Sequence, residues 1–281
     1  MKQSNYQFRK AVVVSAAILL AMIPGTMRPA LCQSSSYTAS PTDSQQTSDH
    51  PLILQGVVEH SDKLPPVQGF QIGSQFNQAK ALASVPPTRV WYRVPPWLAG
   101  SWRTDQYTQT FDLNYKTGSQ DSTANLHNAE LTERWGIQRD RDGGLWDAID
   151  MPFIGTTTSD KHVWKDLHTG DELIFDSDVR LIIKYRATRT TVDKATNTIT
   201  GVQQFESFAT LTLAGPDTVR DEYSLKFFDQ QGNPIDFVKG WRFEHKFAPF
   251  TEVDIENGQD MRPSFKEYLI SRGLENLVPP E

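Results

Sequence analysis

One cysteine, Cys32, occurs in 281 residues, and it precedes the body of the chain. Everything after it therefore lacks a disulfide, a thiolate metal site and a cysteine nucleophile. A chain without cross-links must be held by its core, and one of this length buries enough apolar surface for that. Catalytic signatures are also missing. The sequence contains no Gly-x-Ser-x-Gly elbow, no nucleotide-binding glycine-rich loop and no His-Glu-x-x-His, so no motif argues for a hydrolase, a nucleotide enzyme or a zinc protease. Internal repeats are absent as well.

Long apolar runs are scarce. Ala11–Ile23 is uncharged and mostly apolar, preceded by Lys2, Arg9 and Lys10 and ended by Pro24-Gly25. At about 1.5 Å per residue it is too short for a bilayer core of about 30 Å, so it fits a cleaved export signal and not a membrane span. Ala30-Leu31-Cys32 supplies small residues at the two cleavage subsites. The expected signal is 1–32, with Gln33 as the first mature residue. Lipid attachment at Cys32 is the lesser alternative, because Leu31 is bulky for that reaction. The mature protein is then expected in the periplasm or outside the cell, with no stable membrane insertion. Residues 1–32 carry four of the 28 basic and none of the 34 acidic residues, leaving 24 against 34, a mature balance of −10. That charge argues against nucleic acid as a partner.

Residues 33–50 are rich in Ser, Thr and Gln with almost nothing to bury, and read as a disordered tether. Residues 51–96 read as a partly ordered extension, with a short strand at Leu52–Val58, extended chain at Leu64-Pro65-Pro66 and a short helix within Gln75–Ser84. From about Trp91 the apolar period becomes two. Phe205, Ser207, Ala209, Leu211 and Leu213 alternate with Glu206, Phe208, Thr210 and Thr212. Val179, Leu181, Ile183 and Tyr185 alternate with Arg180, Ile182, Lys184 and Arg186. Phe237, Trp241, Phe243, His245 and Phe247 share one expected inner face, with Arg242, Glu244 and Lys246 on the other. Turn residues separate these runs at Lys116–Gly118, Asp140–Gly144, Asp193–Asn197, Ala214–Asp217 and Asp229–Pro234. Residues 97–281 are therefore expected to be all-β: an antiparallel up-and-down barrel of eight or more strands, closed to remove its edges, with a short C-terminal helix. That helix is expected at 264–272. Ser264-x-x-Glu267 would form a capping box, Phe265 and Tyr268 would dock it, and Gly273 would stop it.

Gly100-x-Trp102 opens this run of strands, Arg242 lies late in the last one, and Phe265-x-x-Tyr268-x-x-x-x-Gly273-Leu274 follows. In that order these elements resemble the lipocalins and their wider calycin relatives, over roughly 98–275. Asp221-x-Tyr223 is similar to the family's Thr-Asp-Tyr corner without its Thr. The resemblance implies a cup-shaped barrel holding a small hydrophobic or amphipathic molecule. It also implies that Arg242 lies across Trp102 at the closed end. The family's disulfide is missing, and the segment 140–170 is longer than a hairpin. Thr104, Gln106, Thr108 and Thr110 would line a polar wall beside Trp102, unless a bulge near Arg103 turns Tyr107, Phe111 and Leu113 inward.

The candidate wall residues of the cup are Trp135, Trp146, Tyr185, Phe205, Phe227, Phe243 and His245, since large aromatic side chains with few polar handles suit such a wall. His162, Asp166 and His168 have metal-ligand chemistry, but along a strand the two imidazoles lie about 20 Å apart, so they read as solvated loop residues. Asp140, Asp142 and Asp147 around Gly143-Gly144 lack the distal bidentate Glu of a calcium loop and read as a turn. Asp176 and Asp178 read as an exposed pair. No catalytic residue, metal or cofactor is assigned. The two rival readings are an envelope scaffold whose tail 33–96 binds a partner, and an enzyme using His245 or His162 in the cup.

Overall fold

A computed structural model of the chain describes residues 60–256 and 258–280, the side chains of 171–177 excepted. The expected signal, the tether and the strand at Leu52–Val58 lie outside the described residues, as does the side chain of Asp176. In chain order the elements are α1 (Gln78–Leu82), β1 (Thr88–Val94), β2 (Gly100–Asn114), β3 (Gln120–Asp121), β4 (Asn125–Trp135) and β5 (Gln138–Arg139). Then come β6 (Leu145–Met151), β7 (Phe153–Thr158), β8 (His162–Ser177), β9 (Arg180–Asp193), β10 (Ile199–Gly215), β11 (Thr218–Phe228) and β12 (Pro234–Ala248). The short pair β13 (Ile255–Glu256) and β14 (Gln259–Asp260) leads into α2 (Met261–Ser271). No helix among the described residues is long and apolar enough to cross a membrane.

The chain is all-β with antiparallel pairing. Strands β7 to β12 form a meander, β2 pairs with β12, and β4 pairs with the far edge of β2. The first long strand thus lies beside the last. Strands β1, β6 and β5 form a separate three-stranded sheet. Turn chemistry fixes the hairpins where the sequence places it. The Asp193 carboxylate accepts from the amides of Ala195 and Thr196, and Asp229 does the same for Gln231 and Asn233.

The meander has an inner face and an outer face. Leu181, Ile183, Tyr185 and Ala187 of β9, Phe205, Ser207, Ala209 and Leu211 of β10, and Val219, Tyr223 and Leu225 of β11 point inward and are buried. The expected alternation in β9 and β10 therefore matches. In β12 it is inverted. Val238, Gly240, Arg242 and Glu244 are buried, while Phe243 and Phe247 are 39% and 58% exposed. The register decides this: Gly240 faces Tyr223, and Arg242 faces Asp221. At Gly240 a Cβ would fall on the Tyr223 hydroxyl and the Thr108 carbonyl oxygen, so only glycine fits there.

Strand β2 settles the choice left open beside Trp102. A register shift between Thr104 and Gln106 turns Trp102, Thr104 and Tyr107 to the same buried side. A second shift, opposite Lys239 and Gly240, sends Phe111 to the outer face, where its ring meets Phe237 at 6.0 Å. Phe111 and Leu113 are therefore not inside with Tyr107.

Helix α2 starts earlier than expected, and its cap is Asp260, whose side chain accepts from the Arg262 amide. Ser264 sits inside the helix and meets Arg89 instead. Phe265 and Leu269 pack not on the meander but on the three-stranded sheet, in a core with Trp91, Ile137, Trp146 and Ala148. Gly273, at φ +69°, ends the helix as expected.

Candidate functional site

Strand β8 places His168 on the inner face, stacked on Phe153 at 4.3 Å. Tyr185 and Phe205 meet at 5.9 Å and Phe205 and Phe227 at 5.8 Å, so three of the expected wall residues do converge. Arg189 closes over Phe205 and holds Asp166 with two hydrogen bonds of 2.7 Å. Paired in this way, Asp166 cannot join His168 and His162 as a ligand set. No metal-ligating cluster of three occurs among the described residues. The remaining wall residues go elsewhere. Trp135 is buried at the end of β4, opposite Gly100. Trp146 belongs to the α2 core, and its indole N–H donates to Asp140. Phe243 and His245 stand on the outer face because β12 is inverted. Tyr185, Phe205, Leu181 and Leu211 are each at most 2% exposed, so protein already encloses this part of the expected cup.

Asp140 organises its turn. It accepts from the amides of Asp142 and Gly144, from the Trp146 indole and from Arg93. Burial works against its charge, but those donors outweigh it and hold the carboxyl below the usual range. Asp147 accepts from the amides of Gly136 and Ala148. Asp140 and Asp147 thus hold the backbone amides of this loop.

The structure adds two features that sequence reasoning missed. One is a buried charge cluster on the inner face. Arg242 lies 2.9 Å from Asp221, 3.1 Å from Glu133 and 2.8 Å from Glu244. Arg242 is 1% and Asp221 0% exposed. Three carboxyls surround one guanidinium, so not all can ionise without an unbalanced buried charge. Burial, only partly offset by Arg242, raises Asp221 to about 6 and lifts Glu244 well above the carboxylate range. Burial also raises the Tyr223 phenol, next to Asp221 and Tyr107. Its legible signal is Arg242-x-Glu244 opposite Asp221-x-Tyr223. Arg242 accordingly does not lie over Trp102. Lys246 does, 4.8 Å from the indole centroid, while the Trp102 N–H donates to the Leu98 carbonyl.

The other feature is on the outer face. Residues 60–70 run across it as a strap. Ser61 donates its amide and hydroxyl to Glu206, at 2.7 and 2.8 Å, and Arg186 joins the same carboxylate. The His60 ring packs edge-on against Phe208 at 4.5 Å, and its Nε2 lies 2.8 Å from the Ser224 hydroxyl. Burial lowers His60 to about 4 against the pull of Glu206. Further on, Leu64 and Val67 donate their amides to the carbonyls of Gly232 and Gln230, and Gln204 donates to the Pro65 carbonyl. Beyond the strap, Asn77 caps α1, which rests on Ile154 and Leu167 through Ala81. A cleft of about 500 Å³ remains between strap, α1 and sheet. Phe70, Leu167 and Ile199 give it apolar walls, and Lys80, Arg186 and Thr188 give it polar edges. That volume suits a drug-sized molecule. Leu64-Pro65-Pro66 and the short helix within Gln75–Ser84 were its traces in the sequence.

No family model matches the chain, and no curated protein is significantly similar to it.

Proposed function

We propose that this is an exported, lipocalin-like binding protein that takes a small amphipathic molecule in the strap cleft and not in a cup. The cleft carries this reading: it is preformed, of ligand size, with apolar walls and polar edges. The enclosed aromatic residues of the inner face serve as core. The order of the sheet, with first and last long strands adjacent, supports a barrel-like arrangement for the family reading. Burial of ligand surface at about 25 cal/mol per Å² would supply the affinity.

Methyl NMR with 1-octanol tests the site. Shifts at Val67, Leu167 and Ile199, lost in Thr188→Trp, are expected. Shifts at Leu181, Ile183 and Leu211 would return the ligand to the cup. An absence of shifts would favour the scaffold reading, which the enclosed inner face also supports. For export, the expected mass of envelope protein is that of a chain starting at Gln33. A diacylglyceryl group on Cys32 would overturn it.

A further inference from the structure

The charge around the cleft selects among amphipathic molecules. The chain as a whole is acidic, with 34 Asp and Glu against 28 Lys and Arg. Among the described residues no Asp or Glu lines the cleft, whereas Lys80 and Arg186 both do. Arg186 is already matched, because it pairs with Glu206 of β10, the carboxylate that anchors the strap. Lys80 is different. Among the described residues its ammonium makes no ion pair, and it projects from α1 at the rim of the apolar walls.

We infer that the cleft takes a small amphipathic anion, a carboxylate on a short apolar chain. The carboxylate would sit at Lys80, and the chain would lie along Phe70, Leu167 and Ile199. This rests on the proposal that the cleft is the binding site. Arg186, Gln204 and Thr188 belong to the sheet, and Gln204 and Arg186 already serve the strap through the Pro65 carbonyl and the Ser61 hydroxyl. Lys80 is thus the group left to meet a ligand's charge. Because it is exposed, the attraction is modest and falls with salt. The inference concerns selection between ligands of equal apolar surface. It does not require tight binding.

Octanoate, 1-octanol and octylamine share one chain and differ in charge, so titrating each by methyl NMR at low salt separates the contributions. Octanoate is expected to bind best and octylamine worst. Lys80→Gln should weaken octanoate about threefold and Lys80→Glu about tenfold, with 1-octanol changed less than about twofold. Lys80 is exposed on a short helix, so neither variant should disturb folding. Equal affinities for octanoate and octylamine, or an octanoate affinity indifferent to Lys80→Glu, would overturn the anion inference. In both of those results 1-octanol would still shift the cleft methyls, and the site itself would stand. If no octyl compound shifts Val67, Leu167 or Ile199, the site is wrong and the inference falls with it.

Discussion

Replacing Arg242 by Met would remove the guanidinium that Asp221, Glu133 and Glu244 share. Methionine matches the length of the aliphatic stem, so the main loss is electrostatic. Breaking a buried pair by deleting one partner costs about 3–5 kcal/mol, because the other charge is left uncompensated. Here the cost should depend on pH. Asp221 and Glu244 are already raised in the folded chain, the first to about 6. Between the ordinary carboxyl value near 4 and that raised value, the fold holds protons that the unfolded chain has released. Asp221 therefore contributes most stability at low pH and loses it as pH rises through about 6, and Glu244 acts in the same sense. Urea melts of both proteins at pH 5 and pH 8 decide the matter. Arg242→Met should cost more at pH 8, where its carboxyls resist protonation. Glu244→Gln should be neutral or stabilising at pH 8, since the amide mimics a protonated carboxyl. A smaller penalty at pH 8 than at pH 5, together with a destabilising Glu244→Gln, would refute the unbalanced-charge account.

The strap should respond to acid in the opposite sense. His60 is lowered by burial to about 4, so its neutral form belongs to the fold and its contribution is lost as pH falls from about 6.5 towards 4. Proteolysis near residues 60–84 should accelerate at pH 4.5 in the wild type and not in His60→Leu; equal pH dependence would assign the change to another group. Gly240→Ala should destabilise by about 1–3 kcal/mol in urea melts, since the methyl meets backbone and a buried phenol. Trp102→Ala should cost about 3–5 kcal/mol by the same measure, whereas Lys246→Met should lose only about 0.5–1 kcal/mol of cation–π contact. In α2, Phe265→Ala should cost about 3–5 kcal/mol and Asp260→Ala about 1 kcal/mol, with Ser264→Ala the mildest of the three because Ser264 is not the cap.

Period-two patterning was enough to find the meander, because β9 and the inner row of β10 bury one apolar row each. It failed in β12, where Arg242 and Glu244 are inward and Phe243 and Phe247 outward. Alternation says only that two faces differ. Which one is buried is settled by the neighbouring strand, and Asp221 and Tyr223 on β11 demand a cation and a glycine opposite them. The α2 helix was legible from Phe265, Leu269 and Gly273, but its cap was not. Asp260 and Ser264 are both sound caps, and choosing Asp260 depends on β14 ending there. The cleft was the least legible part, since Lys80 and Thr188 are ordinary surface residues until α1 and β9 bring them together.

The outer face, and not the inner one, holds the proposed site because of the strap. An amphipathic strand normally leaves its polar side to water, yet Glu206, Phe208, Lys226 and Phe228 of the outer face are all buried. That happens because the strap supplies the missing partners: Ser61 for the Glu206 carboxylate and His60 for the Phe208 ring. A segment bound through a few polar anchors and stiffened by Pro65-Pro66 cannot follow the twist of a sheet closely along its whole length. Contact is tight from His60 to Val67, where backbone hydrogen bonds reach Gly232 and Gln230. Further on, Gly73, Ser74 and Phe76 bond to Ile199 and Asn197 before α1 begins, and the cleft lies among strap, α1 and sheet. Folding of the strap and formation of the site are therefore one event. Protonation of His60 and loss of the Ser61–Glu206 bonds would open both together.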